Sequence, residues 1–269
     1  MVSKLAIYER RLHLYQDYLQ FATEVAREAG KIMQGNFVFD MTREWKKDGT
    51  PLTVTDTTIN QLVVERVNAS FPGHAVLGEE QSHANDSRFL WVCDPVDGTI
   101  PFSHGLSIST FSLALVEDGV PVVGVVLDPF QKLFYSATLE QPTMVNGSRV
   151  QVNDSTSLAK QIVVLEGFAY VGKIWSQLKT LGAFPSTFLS FIFGAKQIAS
   201  GQAGGAVFGY SFPWDAAALK ILVEQAGGKT SDLDGHEQRY DRQTNGFVCS
   251  NGKIHDQLLE MIRSARAQT

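Results

Sequence analysis

Cysteine is nearly absent: the 269-residue chain has only Cys93 and Cys249. That excludes a disulfide framework and a cysteine-rich zinc site. Long apolar runs are missing too. The longest lies around Val120–Leu127, against roughly 20 residues needed to span a bilayer. The N-terminal stretch MVSKLAIYERRLHLYQDYL carries charges through its apolar positions, and it lacks the continuous core and cleavage pattern of a signal peptide. Nor is there an excess of positive charge. Lys plus Arg is 23, Asp plus Glu is 28, and the net is −5, a poor match to a nucleic-acid polymer or an anionic membrane. Internal repeats and low-complexity linkers are absent. These absences predict a reduced, cytoplasmic, soluble protein with no membrane or nucleic-acid partner. What is present, 44% hydrophobic residues, is enough for one large domain or two joined small ones.

Hydrophobic spacing predicts one or two helices over 7–34, a polar, turn-rich loop or hairpin region over 40–56, and a helix over 57–69 with Asp56 as its candidate N-cap. From His74 the pattern turns to strands: 74–77, 89–93, 107–116, 120–128, 133–138 and 161–166. Glu117-Asp118-Gly119 reads as a hairpin turn. Helices are predicted over 170–182, 188–201, 216–225 and 254–265, with a buried strand at 246–250. The order implies mixed α and β without a regular βαβ rhythm.

Three acidic segments follow or open apolar elements: Gly78-Glu79-Glu80, Asp94-Pro95-Val96-Asp97-Gly98-Thr99, and Trp214-Asp215-Ala216. Each alone has an ordinary reading. Asp-Pro and Asp-Gly are turn chemistry, Glu79-Glu80 suits a solvated edge, and Asp215 suits a helix cap. Together they point to a cation, because clustered carboxylates repel unless something neutralises them. Hard oxygen donors select Mg²⁺, Mn²⁺ or Ca²⁺ over zinc. The amides of Gly98 and Thr99 add a site for an anion.

In these segments, and in Lys47-Asp48-Gly49-Thr50-Pro51-Leu52-Thr53, Asp56 and Ala226-Gly227-Gly228, the chain resembles the inositol monophosphatase family. These are lithium-sensitive, magnesium-dependent phosphatases. The resemblance implies a layered α/β/α/β/α sugar-phosphatase fold in one domain, 1–269, with an N-terminal α+β half to about 150 and a C-terminal α/β half. It implies a homodimer that hydrolyses a small phosphate monoester, by default inositol monophosphate or a related cyclitol or sugar phosphate. Mg²⁺ would be the cofactor, Mn²⁺ a substitute, and Li⁺ and Ca²⁺ inhibitors. By the same resemblance Glu79, Asp94, Asp97, Asp215 and the Val96 carbonyl hold two or three metal ions, and Glu80 holds one through water. Asp48 and Thr99 orient the attacking water, and Gly98 and Thr99 grip phosphate. His104 is assigned a supporting structural place.

The substrate wall departs from the family pattern. Inositol-using members carry a Glu seven residues before the Trp-Asp aspartate; here that position is Phe208. Asp97, Phe208 and Asp215 are the expected substrate contacts, with Phe191, Phe193, Phe208, Tyr210 and Phe212 forming either an aromatic wall or core or dimer-interface packing. The run from Lys47 to Thr53 is closer to the histidinol-phosphate and 3′-phosphonucleotide branches, which stand as the alternative. A non-catalytic binder of phosphometabolites is the competing class; the retained Asp48, Thr99 and metal ligands argue against it.

Overall fold

Tyr15, Tyr18, Ala22, Val25, Ala26, Ala29 and Met33 recur at helical spacing and are all buried. They form the inner stripe of α1 (Lys4–Asn36) in a computed structural model that describes residues 4–39, 41–47, 49–83, 87–167 and 171–267. A short hairpin, β1 (Glu44–Trp45) and β2 (Pro51–Leu52), leads to α2 (Val54–Ser70). Helix α2 starts three residues before its predicted start. Its N-cap is Thr53, and Asp56 sits at the third helical position, closing a reciprocal capping box.

A seven-stranded sheet follows in simple meander order. Its strands are β3 (Ala75–Gly78), β4 (Phe89–Asp97), β5 (Thr110–Glu117), β6 (Val120–Asp128), β7 (Leu133–Thr138), β8 (Gln141–Val145) and β9 (Ser148–Arg149). Only β3 and β4 pair in parallel. One short helix, α3 (Thr99–Ser103), interrupts the meander after β4. The middle strands are apolar nearly throughout because helices cover both faces.

The second sheet has five strands in the order β11-β10-β12-β14-β13. They are β10 (Ile162–Glu166), β11 (Phe184–Ser186), β12 (Gly205–Phe208), β13 (Lys229–Ser231) and β14 (Phe247–Ser250). Strand β10 is parallel to β11 and β12, reached through α4 (Val171–Thr180) and α5 (Phe191–Ala199); β14 is antiparallel to β12 and β13. Helix α6 (Pro213–Gln225) lies with α5 between the sheets, and α7 (His255–Ala267) with α4 covers the outer face of the second sheet. With α1 and α2 outside the first sheet, the layers run α/β/α/β/α. Residues Asp215–Val223 of α6 are all buried, and three successive alanines let both sheets approach it. The helix predicted over 188–201 begins only at Phe191, because Phe184–Ser186 pairs with β10. Strands β1, β2, β8, β9 and β11–β13 are too short to show periodicity in the sequence. Among the described residues no helix is long and apolar enough to cross a membrane.

One buried ion pair ties α5 to the first sheet. Lys196 Nζ lies 3.1 Å from Asp128 Oδ2, and both side chains are almost wholly excluded from solvent. Burial lowers the Lys196 pKa and Asp128 opposes that shift. Asp128 Oδ1 also accepts the N–H groups of Phe130 and Gln131, at 3.1 and 2.8 Å. Removing one partner of a buried pair costs about 3–5 kcal/mol. Asp128→Ala is expected to lose stability in that range in urea unfolding. Lys196→Met is expected to lose less, because Asp128 keeps two backbone donors and methionine fills the aliphatic volume.

Candidate active site

Strand β4 carries its apolar run into Asp94-Pro95-Val96-Asp97, so the two acids extend a buried strand rather than forming the expected free turn. The register against β5 shifts between them, a bulge that re-aims side chains at a strand end. Asp94 Oδ1 accepts the Val96 N–H at 3.1 Å. Asp97 Oδ2 collects four donors: Thr110 Oγ1 at 3.0 Å, the N–H of Ile192 at 3.1 Å, the N–H of Phe193 at 3.0 Å, and Ser190 Oγ. Ser190, the N-cap of α5, makes no side-chain cap bond of its own. Asp97 from the other sheet therefore satisfies the first turn of α5.

The other acids arrive on separate elements. Glu79 and Glu80 follow β3, and Lys46 Nζ bridges them at 2.9 and 2.5 Å. Asp215 is the third residue of α6, where its Oδ2 accepts the Phe212 N–H at 2.7 Å. Next to β4, Gly98 adopts φ +82°, and a Cβ there would meet Ser190 Cβ at 2.7 Å and the Ile108 carbonyl at 2.8 Å. Glycine thus lets the chain turn sharply into α3 and brings Thr99 beside the acids.

Thr99 Oγ1 lies 2.9 Å from Asp56 Oδ1 and 3.0 Å from the Val96 carbonyl. Asp56 is fully buried. Its Oδ2 accepts the Thr53 N–H at 2.8 Å and the Thr53 hydroxyl at 2.5 Å. The sequence assigned Asp48 to stand with Thr99; Asp48 lies outside the described residues. The carboxylate that touches Thr99 is Asp56, expected only as a helix cap. Its signal was present in the sequence: Thr53-x-x-Asp56 at a helix start is a capping box, and a buried box leaves one carboxylate oxygen for another partner.

The charge balance of the site is one-sided. Burial pushes the carboxyl pKa values of Asp94 and Asp215 well upward, and Glu79 and Asp97 add repulsion to both. Burial likewise raises Asp56 and Asp97 and pushes Glu80 up to about 7. Among the described residues no Lys, Arg or His pairs with Asp94, Asp97 or Asp215, and no three acids close on one point as a preformed cage. Burial and mutual repulsion oppose full ionisation of such a cluster, and a cation would relieve both. The donors are carboxylates and one carbonyl, without thiol or imidazole, which fits a hard divalent ion.

A cavity of about 300 Å³ joins these groups: Glu79, Asp94, Val96, Asp97, Gly98, Thr99 and Asp215 all line it. Phe208 does not. It is wholly buried on β12, opposite Phe247 of β14 and stacked on Phe191 with centroids 4.6 Å apart. The expectation that Phe208 touches substrate is corrected: Phe191 lines the cavity, and Phe208 backs it. His104 has a structural place, with Nδ1 2.8 Å from the Ile100 carbonyl. Glu166, which sequence reasoning passed over, also lines the cavity. It ends an apolar strand, the same signal that singled out Glu79 and Asp94.

Comparison with known proteins agrees with this geometry. Residues 14–267 match the model of the inositol monophosphatase family. An inositol-1-monophosphatase from Synechocystis is 31% identical, covering 92% of this chain and 89% of its own. A histidinol-phosphatase from Chlorobaculum parvum is 30% identical, covering 91% and 96%. A solved inositol monophosphatase from Thermotoga maritima superposes with a TM-score of 0.87 at 27% identity, covering 94% and 99%. An acid-lined cleft at the ends of two stacked sheets, on a chain that matches over residues 14–267, makes this protein a member of the inositol monophosphatase family and a hydrolase of small phosphate monoesters.

Proposed function

We propose that hydrolysis here is Mg²⁺-dependent and that Thr99 and Asp56 together take the proton from the attacking water. The observation that supports this is the Thr99 hydroxyl, held on a buried carboxylate at the edge of the acidic cavity. Glu79, Asp94, the Val96 carbonyl, Asp97 and Asp215 would hold the metal, and Glu80 a further ion through water. Held by these residues, Mg²⁺ would supply an acidified water and positive charge to offset that of the phosphate and leaving group. Lys46 would yield part of its contact with Glu79 as the ion enters. The Thr99 oxygen accepts the proton from water while its own proton passes to Asp56 Oδ1. Thr53, with both its N–H and its hydroxyl on Asp56 Oδ2, keeps that carboxylate aimed at Thr99. The amides of Gly98 and Thr99 are assigned to phosphate.

The reading extends to Mn²⁺ as a substitute and to inhibition by Li⁺ and Ca²⁺. It also extends to a cytoplasmic homodimer. The two buried free thiols suit a reducing compartment, and exposed Leu181 and Phe184 supply apolar surface for association. Sedimentation velocity checks the dimer.

Metal dependence is tested by titrating EDTA-treated protein with Mg²⁺. Phosphate release from a monoester is expected to be absent before addition and restored after it. Mg²⁺ is also expected to raise Tm, because it relieves repulsion among the acids. Full activity in stripped protein would refute this reading.

Thr99→Ala is expected to lower kcat by about 10²-fold or more, the loss typical of a proton-transfer partner, with little change in Tm. Asp56→Asn is expected to lower kcat similarly while keeping an acceptor for Thr53. Normal turnover in either variant removes that residue from the relay.

For Asp215, Asn retains the cap on α6 but removes an anionic oxygen. Asp215→Asn is expected to leave unfolding in EDTA nearly unchanged and to raise the Mg²⁺ concentration needed for activity at least about 10-fold, on the scale of losing a charged contact. An unshifted Mg²⁺ titration confines Asp215 to capping.

A further inference from the structure

Part of the cavity wall is built from Glu166, Gly167, Leu189, Phe191 and Tyr210. Two rings form a corner. Phe191 is stacked on buried Phe208 at an interplanar angle of 17°, and Tyr210 meets Phe191 edge-on, with centroids 5.5 Å apart and an angle of 66°. Tyr210 is fixed from below by Gly167, which adopts φ +64°; a Cβ there would lie 2.2 Å from Tyr210 Cε1. Only glycine permits this seat, so the ring position is a built feature.

Glu166 shapes the rest. Its Oε1 accepts the Thr187 hydroxyl at 2.7 Å and the N–H groups of Phe188 and Leu189 at 2.6 and 3.0 Å. These bonds hold Leu189 in the left-handed region at φ +56°, a conformation costly for a bulky residue. The left-handed turn sets an apolar side chain on the cavity wall.

The chemistry of the wall narrows the leaving group. A polyol would meet the Glu166 carboxylate and the Tyr210 hydroxyl but would lay its remaining hydroxyls against the apolar faces of Phe191 and Leu189. A second phosphate would meet Glu166, because among the described residues lining the cavity there is no Lys, Arg or His. A flat ring is accommodated by the aromatic corner, and a positive charge is favoured both by the ring faces and by the Glu166 carboxylate.

We propose that this enzyme's substrate is a phosphate monoester whose leaving group combines a flat ring with a protonated nitrogen, selected by Phe191, Tyr210 and Glu166. The proposal rests on the phosphatase reading above and adds the leaving-group class. Glu166 and Tyr210 are its specificity-determining residues.

The test measures kcat/KM in Mg²⁺ for four esters. Histidinol phosphate carries ring and charge. Benzyl phosphate carries the ring alone, inositol 1-phosphate the polyol, and fructose 1,6-bisphosphate a second phosphate. Histidinol phosphate is expected to exceed the polyol and the bisphosphate by at least about 10-fold, the scale of one desolvated cation–π or charged contact. Glu166→Gln is expected to lower the histidinol-to-benzyl phosphate ratio about 10-fold. Tyr210→Ala is expected to lower the benzyl-to-inositol phosphate ratio several-fold. Each ratio is internal to one preparation, so partial misfolding of a variant does not move it. A preference for inositol 1-phosphate or the bisphosphate overturns the proposal, as do ratios unmoved by both variants. Failure to release phosphate from any of the four would instead overturn the phosphatase reading itself.

Discussion

One oxygen of Asp97 joins the two sheets at the site. It lies at the end of β4 and receives donors from β5, from Ser190 and from the first turn of α5. Helix α5 packs on the second sheet, so this carboxylate fixes where the phosphate-side acids stand relative to the substrate wall. Glu166 fixes the same 187–190 segment from the β10 side. Between these two acids the chain has little freedom, and a left-handed leucine is the result. The geometry of the cavity therefore depends on two buried carboxylates that each gather several donors on one oxygen, a condition that keeps a buried anion tolerable.

The same crowding has a cost in stability. Asp94 and Asp215 have folded-state pKa values pushed well above the ordinary carboxylate value, by burial first and by neighbouring acids next. For such groups the folded state binds protons more tightly than the unfolded chain. Their contribution favours folding below the ordinary carboxylate pKa and is lost as pH rises toward the folded value. At neutral pH the cluster thus works against the fold until a cation compensates it. Binding affinity for the ion and stability of the protein are linked through these acids.

The acids at strand ends and helix starts were legible in the sequence because three such segments recur beside apolar elements, a combination that their separate turn, edge and cap readings do not explain. The elements α1, β4–β7, α6 and α7 were legible because they are long and strongly patterned; their layered arrangement was implied only by the family resemblance. The partner of Thr99 was not, because Asp56 meets Thr99 across 43 positions, through packing of α2 against the end of β4. Phe208 was misplaced for a different reason. All four residues of β12 are buried, so no alternation marks which side chains face the cavity, and an offset from Trp214-Asp215 says nothing about orientation. Only the pairing with β14 and the stack on Phe191 settle it.

The carboxylates of the site share a division of labour between their oxygens. Asp94 gives one to the Val96 N–H, Asp215 one to the Phe212 N–H, Asp56 one to Thr53, and Glu166 one to the 187–189 turn. A backbone N–H is a rigid donor, so it fixes the plane of the carboxylate and with it the direction of the second oxygen. For Asp56 that second oxygen is the one on Thr99. The structural and chemical readings of these residues are therefore not rivals. An acid that caps a helix or pins a turn with one oxygen is pre-aimed with the other, and pre-aiming is what a reactive site requires. It also means that the amide variants keep the structural oxygen and alter only the chemical one, so structure and reactivity can be separated residue by residue.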